Sequence, residues 1–186
     1  MESKNLAPLT ELRDQHSEFI RTALERYESP LVRYCYGLTG NLDTARDVVQ
    51  DTFLRLCEQA PGAVEGHLAQ WLFTVCRNRA LDVQRKATRM TSLNEGELDH
   101  RASADPSPAE SAATRDTVHR IDELLADLPL NQREVVRLKF QNQLSYQEIA
   151  AVTSLSVGNV GFLLHTALKT LRSRLDRLER TSPSRA

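Results

Sequence analysis

The sequence has few aromatic residues and no long apolar run. Only 5% of its 186 residues are aromatic, and it contains seven glycines and seven prolines. No segment approaches the ~18 consecutive apolar residues of a membrane-spanning helix, and the N-terminus lacks the apolar core of a signal peptide. Alternating β-branched runs are also missing, whereas Leu, Ala, Arg and Glu are abundant. The composition therefore predicts a soluble, cytoplasmic all-α protein that does not insert into a membrane.

The sequence also lacks the usual signs of a metal site or a catalytic centre. Its three cysteines, Cys35, Cys57 and Cys76, have no metal-binding or disulfide spacing, and each lies in an apolar helical pattern. We expect all three to be buried. There is no phosphate-cradling glycine loop and no hydrolytic triad, and the five histidines are scattered. We therefore expect no cofactor, no metal, no small-molecule substrate and no enzymatic activity.

The net charge of −1 conceals a strong segregation of charge along the chain. Residues 67–90 carry a net charge of +4, residues 91–127 carry −6, and residues 165–186 carry +4. Attraction to phosphate acts over about one Debye length, ~8 Å, so a local positive surface is sufficient for nucleic-acid binding. The near-neutral total therefore does not exclude a nucleic-acid binder.

An acidic stretch divides the sequence into two parts. Residues 90–113 include Pro106 and Pro108 and show no sustained apolar period, which is typical of a flexible linker. The sequence thus predicts one helical domain over residues 10–89 and a second over residues 114–180.

Two short helices and a tight turn are predicted between Leu144 and Val160, L-S-Y-Q-E-I-A-A-V-T-S-L-S-V-G-N-V. Ser145 and Glu148 have the spacing of a capping box, and Ser156 can cap the second helix. This pattern is typical of a helix-turn-helix DNA reader. From this stretch alone, the alternative interpretation is an ordinary helical hairpin.

The first domain is predicted to contain three helices. Apolar residues recur at helical spacing from Phe19 to Cys35, with a break or a first-turn position expected at Pro30 and an end at Gly37 and Gly40. Asp43 is predicted to cap the second helix. The third should begin at His67 or Leu68 and end near Arg89.

The third predicted helix places an aromatic residue among polar and basic ones. With 100° per residue, Trp71, Asn78 and Arg85 share one face, opposite an apolar face. An aromatic ring beside cations can stack on an unpaired base while the cations hold phosphates. Alternatively, the tryptophan packs against a neighbouring helix and the arginines around it are simply solvated.

Three segments, in order along the chain, resemble one known family. They read D-T-A-R-D-V-V-Q-D-T-F-L-R-L from Asp43 to Leu56, W-L-F-T-V-C-R-N-R-A-L-D from Trp71 to Asp82, and L-P-L-N-Q-R-E-V-V from Leu128 to Val136, followed by the helix-turn-helix. The sequence resembles bacterial RNA polymerase sigma factors of the extracytoplasmic-function (ECF) type. The likeness covers most of the chain outside the linker and both ends.

This resemblance implies a function in promoter recognition. Residues 10–89 would form a region 2-like domain that docks on core RNA polymerase and recognises and melts the downstream promoter element. Residues 114–180 would form a region 4-like domain that reads the upstream element. The implied partners are core RNA polymerase and promoter DNA, both as duplex and as melted single strand. The sequence leaves open whether an inhibitory anti-sigma factor also binds.

The resemblance also implies three groups of binding residues. The residues expected to contact the polymerase are Asp47, Gln50, Asp51 and Leu54. Those expected to contact melted DNA are Trp71, Arg77, Asn78, Arg79, Arg85 and Lys86. Those expected to contact the upstream duplex are Ser156, Asn159, Phe162, His165, Lys169 and Arg172, with Arg174 as a further phosphate contact.

The sequence departs from the family just after Val160. Relatives commonly have Lys, Ser and Arg there, whereas this chain has Gly161, Phe162 and Leu163. Phe162 could contact thymine methyl groups, or Phe162 and Leu163 could form an apolar patch for a regulatory partner. Two other functions therefore stay open. One is a stand-alone helix-turn-helix regulator, and the other is a partner-binding protein without promoter activity.

Overall fold

The computed structural model describes residues 7–60, 62–91 and 124–181, and these ranges contain helices, turns and no strand. The all-α prediction is therefore confirmed. The chain forms two compact units, Met1–Ala102 and Ser103–Ala186. Most of the predicted linker lies outside the described residues. The helices are α1 (Ala7–Thr39), α2 (Leu42–Cys57), α3 (Leu68–Thr91), α4 (Leu130–Val136), α5 (Tyr146–Thr153) and α6 (Val157–Thr181).

Two short helical turns of non-α geometry join these elements. A 3₁₀ turn, Glu65–His67, precedes α3, and a π turn, Arg137–Gln141, follows α4. In the described ranges, no single helix combines the length and the apolar character needed to cross a membrane. Among the described helices, one pair reaches that length and apolar character when taken together, namely α5 with the Val157–Arg177 part of α6, and this pair is bent by 102°.

Helix α1 continues through Pro30, so the predicted break there is wrong. A proline inside a helix removes one backbone hydrogen bond and costs about 3 kcal/mol. Leu31 and Tyr34, one and four residues after it, are buried in the core, and this packing offsets the cost. The helix also passes Gly37 and ends before Gly40, which has a φ of +69° and donates its N–H to the Tyr36 carbonyl at 2.8 Å.

The cap of α2 is Asn41, and the prediction of Asp43 is wrong. The Asn41 side-chain oxygen accepts a hydrogen bond from the Thr44 N–H at 2.8 Å. Asp43 lies in the first turn, where its carboxylate is favoured by the helix dipole. The residues of α2 that are buried in unit 1 are Ala45, Val48, Val49, Thr52, Phe53 and Leu56.

The core of unit 1 forms where α1, α2 and α3 meet. The rings of Tyr34 and Phe73 pack edge to face with centroids 5.2 Å apart, a favourable aromatic geometry. Cys35 and Cys76 are buried, as predicted, and the Thr52 hydroxyl lies 3.2 Å from the Cys76 sulfur. A hydrogen bond with Cys76, together with burial, raises the pKa of the Cys35 thiol well above its usual range.

The prediction that all three cysteines are buried is wrong for Cys57. Cys57 is exposed because it is the last residue of α2, beyond the part of that helix that packs against the core.

Replacing the cap of α2 tests its assignment. Asn41→Ala should lower the free energy of unfolding of unit 1 by ~1 kcal/mol, because the Thr44 N–H loses its acceptor. Asp43→Ala should cost less, ~0.5 kcal/mol, because its carboxylate acts only through the dipole and an exposed pair with Arg46. Urea unfolding followed by fluorescence of Trp71, the only tryptophan, reports on this unit. A larger loss at Asp43 would contradict the assignment.

Candidate nucleic-acid and polymerase interface

The solvent-facing side of α2 carries the predicted polymerase-binding residues. Asp47, Gln50 and Leu54 are exposed, and 59% of the surface of Leu54 is accessible to solvent. An exposed leucine beside a carboxylate and an amide is a mixed apolar and polar surface, as found at protein interfaces.

Asp51 differs from these three residues because it is already paired within unit 1. Its Oδ2 lies 3.2 Å from Arg79 Nε on α3 and 3.5 Å from an Arg55 guanidinium nitrogen. The Oδ2 atom is buried and makes no well-aligned hydrogen bond, so these contacts are ion pairs only. The structure therefore brings together Asp51 and Arg79, which the sequence assigned to different partners.

Helix α3 has the two faces that its sequence predicts. Leu72, Phe73, Cys76 and Ala80 are buried, while Asn78 is exposed. Trp71 is half-buried, so part of its surface packs against the protein and part faces solvent.

The C-terminal half of α3 presents cations to solvent. Arg85 and Lys86 are exposed, and Arg85 donates a hydrogen bond to the Asp82 carboxylate at 2.8 Å. Arg77 is half-buried and has contacts of its own. Trp71 and Arg85 lie about 21 Å apart along the helix axis, so this face is long enough to contact several nucleotides.

The loop before α3 is anchored by Val64, which sequence reasoning missed. Val64 is buried, and its carbonyl accepts a hydrogen bond from the His67 N–H at 3.1 Å. Gly62 has a φ of +80°, a backbone conformation that a side chain would strain. Val64 is the one branched aliphatic residue between positions 60 and 67, and this is the signal that could have identified the anchor.

The helix-turn-helix prediction is confirmed in detail. The Ser145 N–H donates to the Glu148 carboxylate at 2.7 Å, and the Glu148 N–H donates to the Ser145 hydroxyl at 3.2 Å. Ser154, with a φ of +59°, ends α5, and the Ser156 hydroxyl accepts from the Asn159 N–H at 3.2 Å at the start of α6. The 102° bend between α5 and α6 is typical of the motif.

One side of helix α6 is buried in unit 2, and the residues predicted to contact DNA lie on its exposed surface. Val160, Leu164 and Ala167 are buried, whereas Leu163 is half-buried and so contributes little to an exposed patch. The exposed set comprises all six predicted contacts, Ser156, Asn159, Phe162, His165, Lys169 and Arg172.

Arg174 instead holds a turn within unit 2. Its guanidinium forms an ion pair with Asp127 at 2.9 Å and lies 3.5 Å from the Leu124 carbonyl oxygen. Arg133 donates to the carbonyls of Ala126 and Leu128 in the same turn. Arg174 therefore stabilises this turn, and a phosphate would have to compete with Asp127 for its guanidinium.

Comparison with known proteins identifies the family. A family model described as Sigma-70 region 2 matches residues 23–90, and one described as Sigma-70, region 4 matches residues 119–171. The chain is 32% identical over 162 residues to the ECF RNA polymerase sigma factor SigL of Mycobacterium tuberculosis, which covers 86% of this chain and 90% of the relative. The chain belongs to the ECF sigma factors. SigD of the same species is 30% identical over 162 residues, covering 84% of this ECF sigma factor and 76% of SigD.

Two solved structures share the fold of this ECF sigma factor. One is the sigma factor RpoE in complex with the anti-sigma factor NepR from Bartonella quintana, with a TM-score of 0.67, 24% identity and coverage of 84% of this chain and 96% of that chain. The other is CnrH in complex with the cytosolic domain of CnrY, with a TM-score of 0.59, 24% identity and coverage of 89% and 96%. The predicted family is thus confirmed, and with it a function in promoter-specific transcription initiation by RNA polymerase.

Proposed function

We propose that this ECF sigma factor docks on core RNA polymerase through α2, captures melted promoter DNA with α3 and reads the upstream promoter element with α6. The observation that carries this proposal is the presence of both sigma regions, in order, on two units with separate exposed surfaces. The sigma factor itself is not an enzyme, since the core polymerase performs nucleotidyl transfer. The protein acts in the cytoplasm, where the polymerase is.

The docking role of α2 is supported by the chemistry of its exposed side. Asp47 and Gln50 can pair with basic and polar groups, while Leu54 can exclude water from the contact. Asp51 should contribute less to docking on the polymerase, because a basic group of the partner has to compete with Arg79 for the Asp51 carboxylate.

The strand-capturing role of α3 follows from the energetics of melting. Opening DNA costs about 1.4 kcal/mol of stacking per base-pair step, so extruded bases have to be held. The open part of Trp71 offers a stacking surface and Asn78 a hydrogen-bonding group. The cations proposed to hold the phosphates are Arg77, Arg79, Arg85 and Lys86.

The upstream-reading role of α6 is supported by its exposed polar residues. Ser156, Asn159 and His165 can hydrogen-bond to base edges or backbone, and Lys169 and Arg172 can neutralise phosphates further along the helix. Of the structural relatives named above, RpoE is in complex with the anti-sigma factor NepR, and CnrH is in complex with the cytosolic domain of CnrY. We therefore include an anti-sigma factor among the proposed partners.

Transcription with purified components tests the main proposal. Core RNA polymerase plus this protein, given fragmented DNA of the source genome, should produce discrete transcripts that core alone does not. A stand-alone regulator would bind duplex DNA tightly without the polymerase. The proposal is wrong if no specific transcript forms, or if promoter binding does not depend on core.

Charge reversal on α2 tests the docking surface. Asp47→Arg should weaken binding to core polymerase about tenfold, because it places a cation opposite basic groups of the partner. Glu25→Arg on α1 is the matched control, since Glu25 is an exposed carboxylate outside α2. Fluorescence titration of core measures both affinities. Equal affinities for the parent and Asp47→Arg would exclude α2 as the docking helix.

Removing the indole of Trp71 tests strand capture. Trp71→Ala should abolish permanganate reactivity of promoter thymines, because extruded bases lose their stacking surface, while affinity for core stays unchanged. Trp71→Phe keeps an aromatic ring and should retain most of the reactivity. Unchanged melting by Trp71→Ala would show that the ring serves only the packing of α3.

A further inference from the structure

We propose that Phe162 sets the specificity of this sigma factor for its upstream promoter element by contacting thymine methyl groups in the major groove. The inference rests on the proposed function and adds to it the base that α6 reads. In this proposal, an apolar contact with A·T pairs takes the place of a cationic side chain that would recognise guanine.

The position of Phe162 on α6 is the first support. Gly158, Phe162, His165 and Lys169 follow one another at spacings of four, three and four residues, so they form one line along the helix. This line lies opposite the buried residues Val160, Leu164 and Ala167, and Phe162 is 66% exposed. The N-terminal turns of a recognition helix are the part that reaches base edges, and Phe162 lies in the second turn.

Two glycines beside Phe162 give the second support. A Cβ at Gly158 would meet no atom within 4 Å, and one at Gly161 would lie 3.7 Å from Tyr146 Cε2, an ordinary contact. Neither glycine has a positive φ. The fold therefore does not require a glycine at either position, although each makes the helix less stable than alanine would. At Gly158, one turn before Phe162 on the same line, bare backbone lets the helix approach the groove closely.

The charges around Phe162 favour DNA over a protein partner. The first eight residues of α6, 157–164, contain no charged side chain, so no Arg or Lys is available there to form the bidentate contact that selects guanine. The thymine methyl is the apolar group that a major groove offers. Beyond Phe162 the same line becomes basic with Lys169, and Arg172 follows, so both cations can hold phosphates on the C-terminal side of Phe162.

Replacing thymine by deoxyuracil tests the proposal, because this change removes only the methyl group. Promoters identified by transcription with core are prepared with each upstream thymine replaced in turn, and holoenzyme affinity is measured. Loss of one methyl contact should weaken binding about fourfold at one or two positions. Phe162→Ala holoenzyme should bind thymine and deoxyuracil promoters equally, at the weakened level.

Two further variants separate base reading from folding. Leu175→Ala removes another exposed apolar side chain of α6, about 20 Å further along the helix, and should keep the full thymine preference. Gly158→Ala should raise the melting temperature of the protein while weakening promoter binding, because the added methyl holds the helix away from the groove. A purely structural glycine would not give these opposite effects.

The outcomes distinguish this inference from the proposed function. If the parent holoenzyme initiates normally but no deoxyuracil substitution weakens it, or if the upstream element has no thymine on either strand, the methyl readout is wrong and the promoter function stands. If Phe162→Ala loses affinity but keeps the thymine preference, Phe162 serves another contact, such as a regulatory protein. If no holoenzyme transcript forms at all, both proposals are wrong.

Discussion

Burial of one apolar stripe from each helix decides which side of that helix is available to a partner. In unit 1, α2 and α3 turn Phe53, Leu56, Leu72 and Phe73 inward. The opposite sides of both helices, with Asp47 on α2 and Asn78 on α3, are left exposed. In unit 2, Val160 and Leu164 fix the rotation of α6 in the same way. The hydrophobic effect has no direction of its own, yet here it decides which polar residues of α2, α3 and α6 face solvent, where the proposed partners could reach them.

The sequence was most informative where the signal was local. The capping box of Ser145 and Glu148, the second cap at Ser156 and the two faces of α3 depend on residues three or four positions apart, and all were predicted correctly. The family resemblance, which depends on three such local motifs, was confirmed as well. The binding roles of individual residues stay predictions.

Other features that the sequence did not reveal depend on tertiary packing. Pro30 does not break α1, because residues on its C-terminal side are buried in the core. The ion pair of Asp51 with Arg79 joins residues 28 positions apart, and that of Arg174 with Asp127 joins residues 47 positions apart. No pattern in a single sequence specifies such pairings, so neither the restraint on Asp51 nor the structural role of Arg174 could be predicted.

The different environments of the three cysteines make this sigma factor suitable for single-site chemical labelling. Cys35 and Cys76 are shielded inside unit 1, and the raised pKa of Cys35 keeps its thiol from forming the reactive thiolate. Cys57 is the one thiol in contact with solvent. A maleimide dye would therefore attach at the C-terminal end of α2, one turn beyond Leu54. There it would report on the proposed docking of core polymerase at α2 without any engineered cysteine.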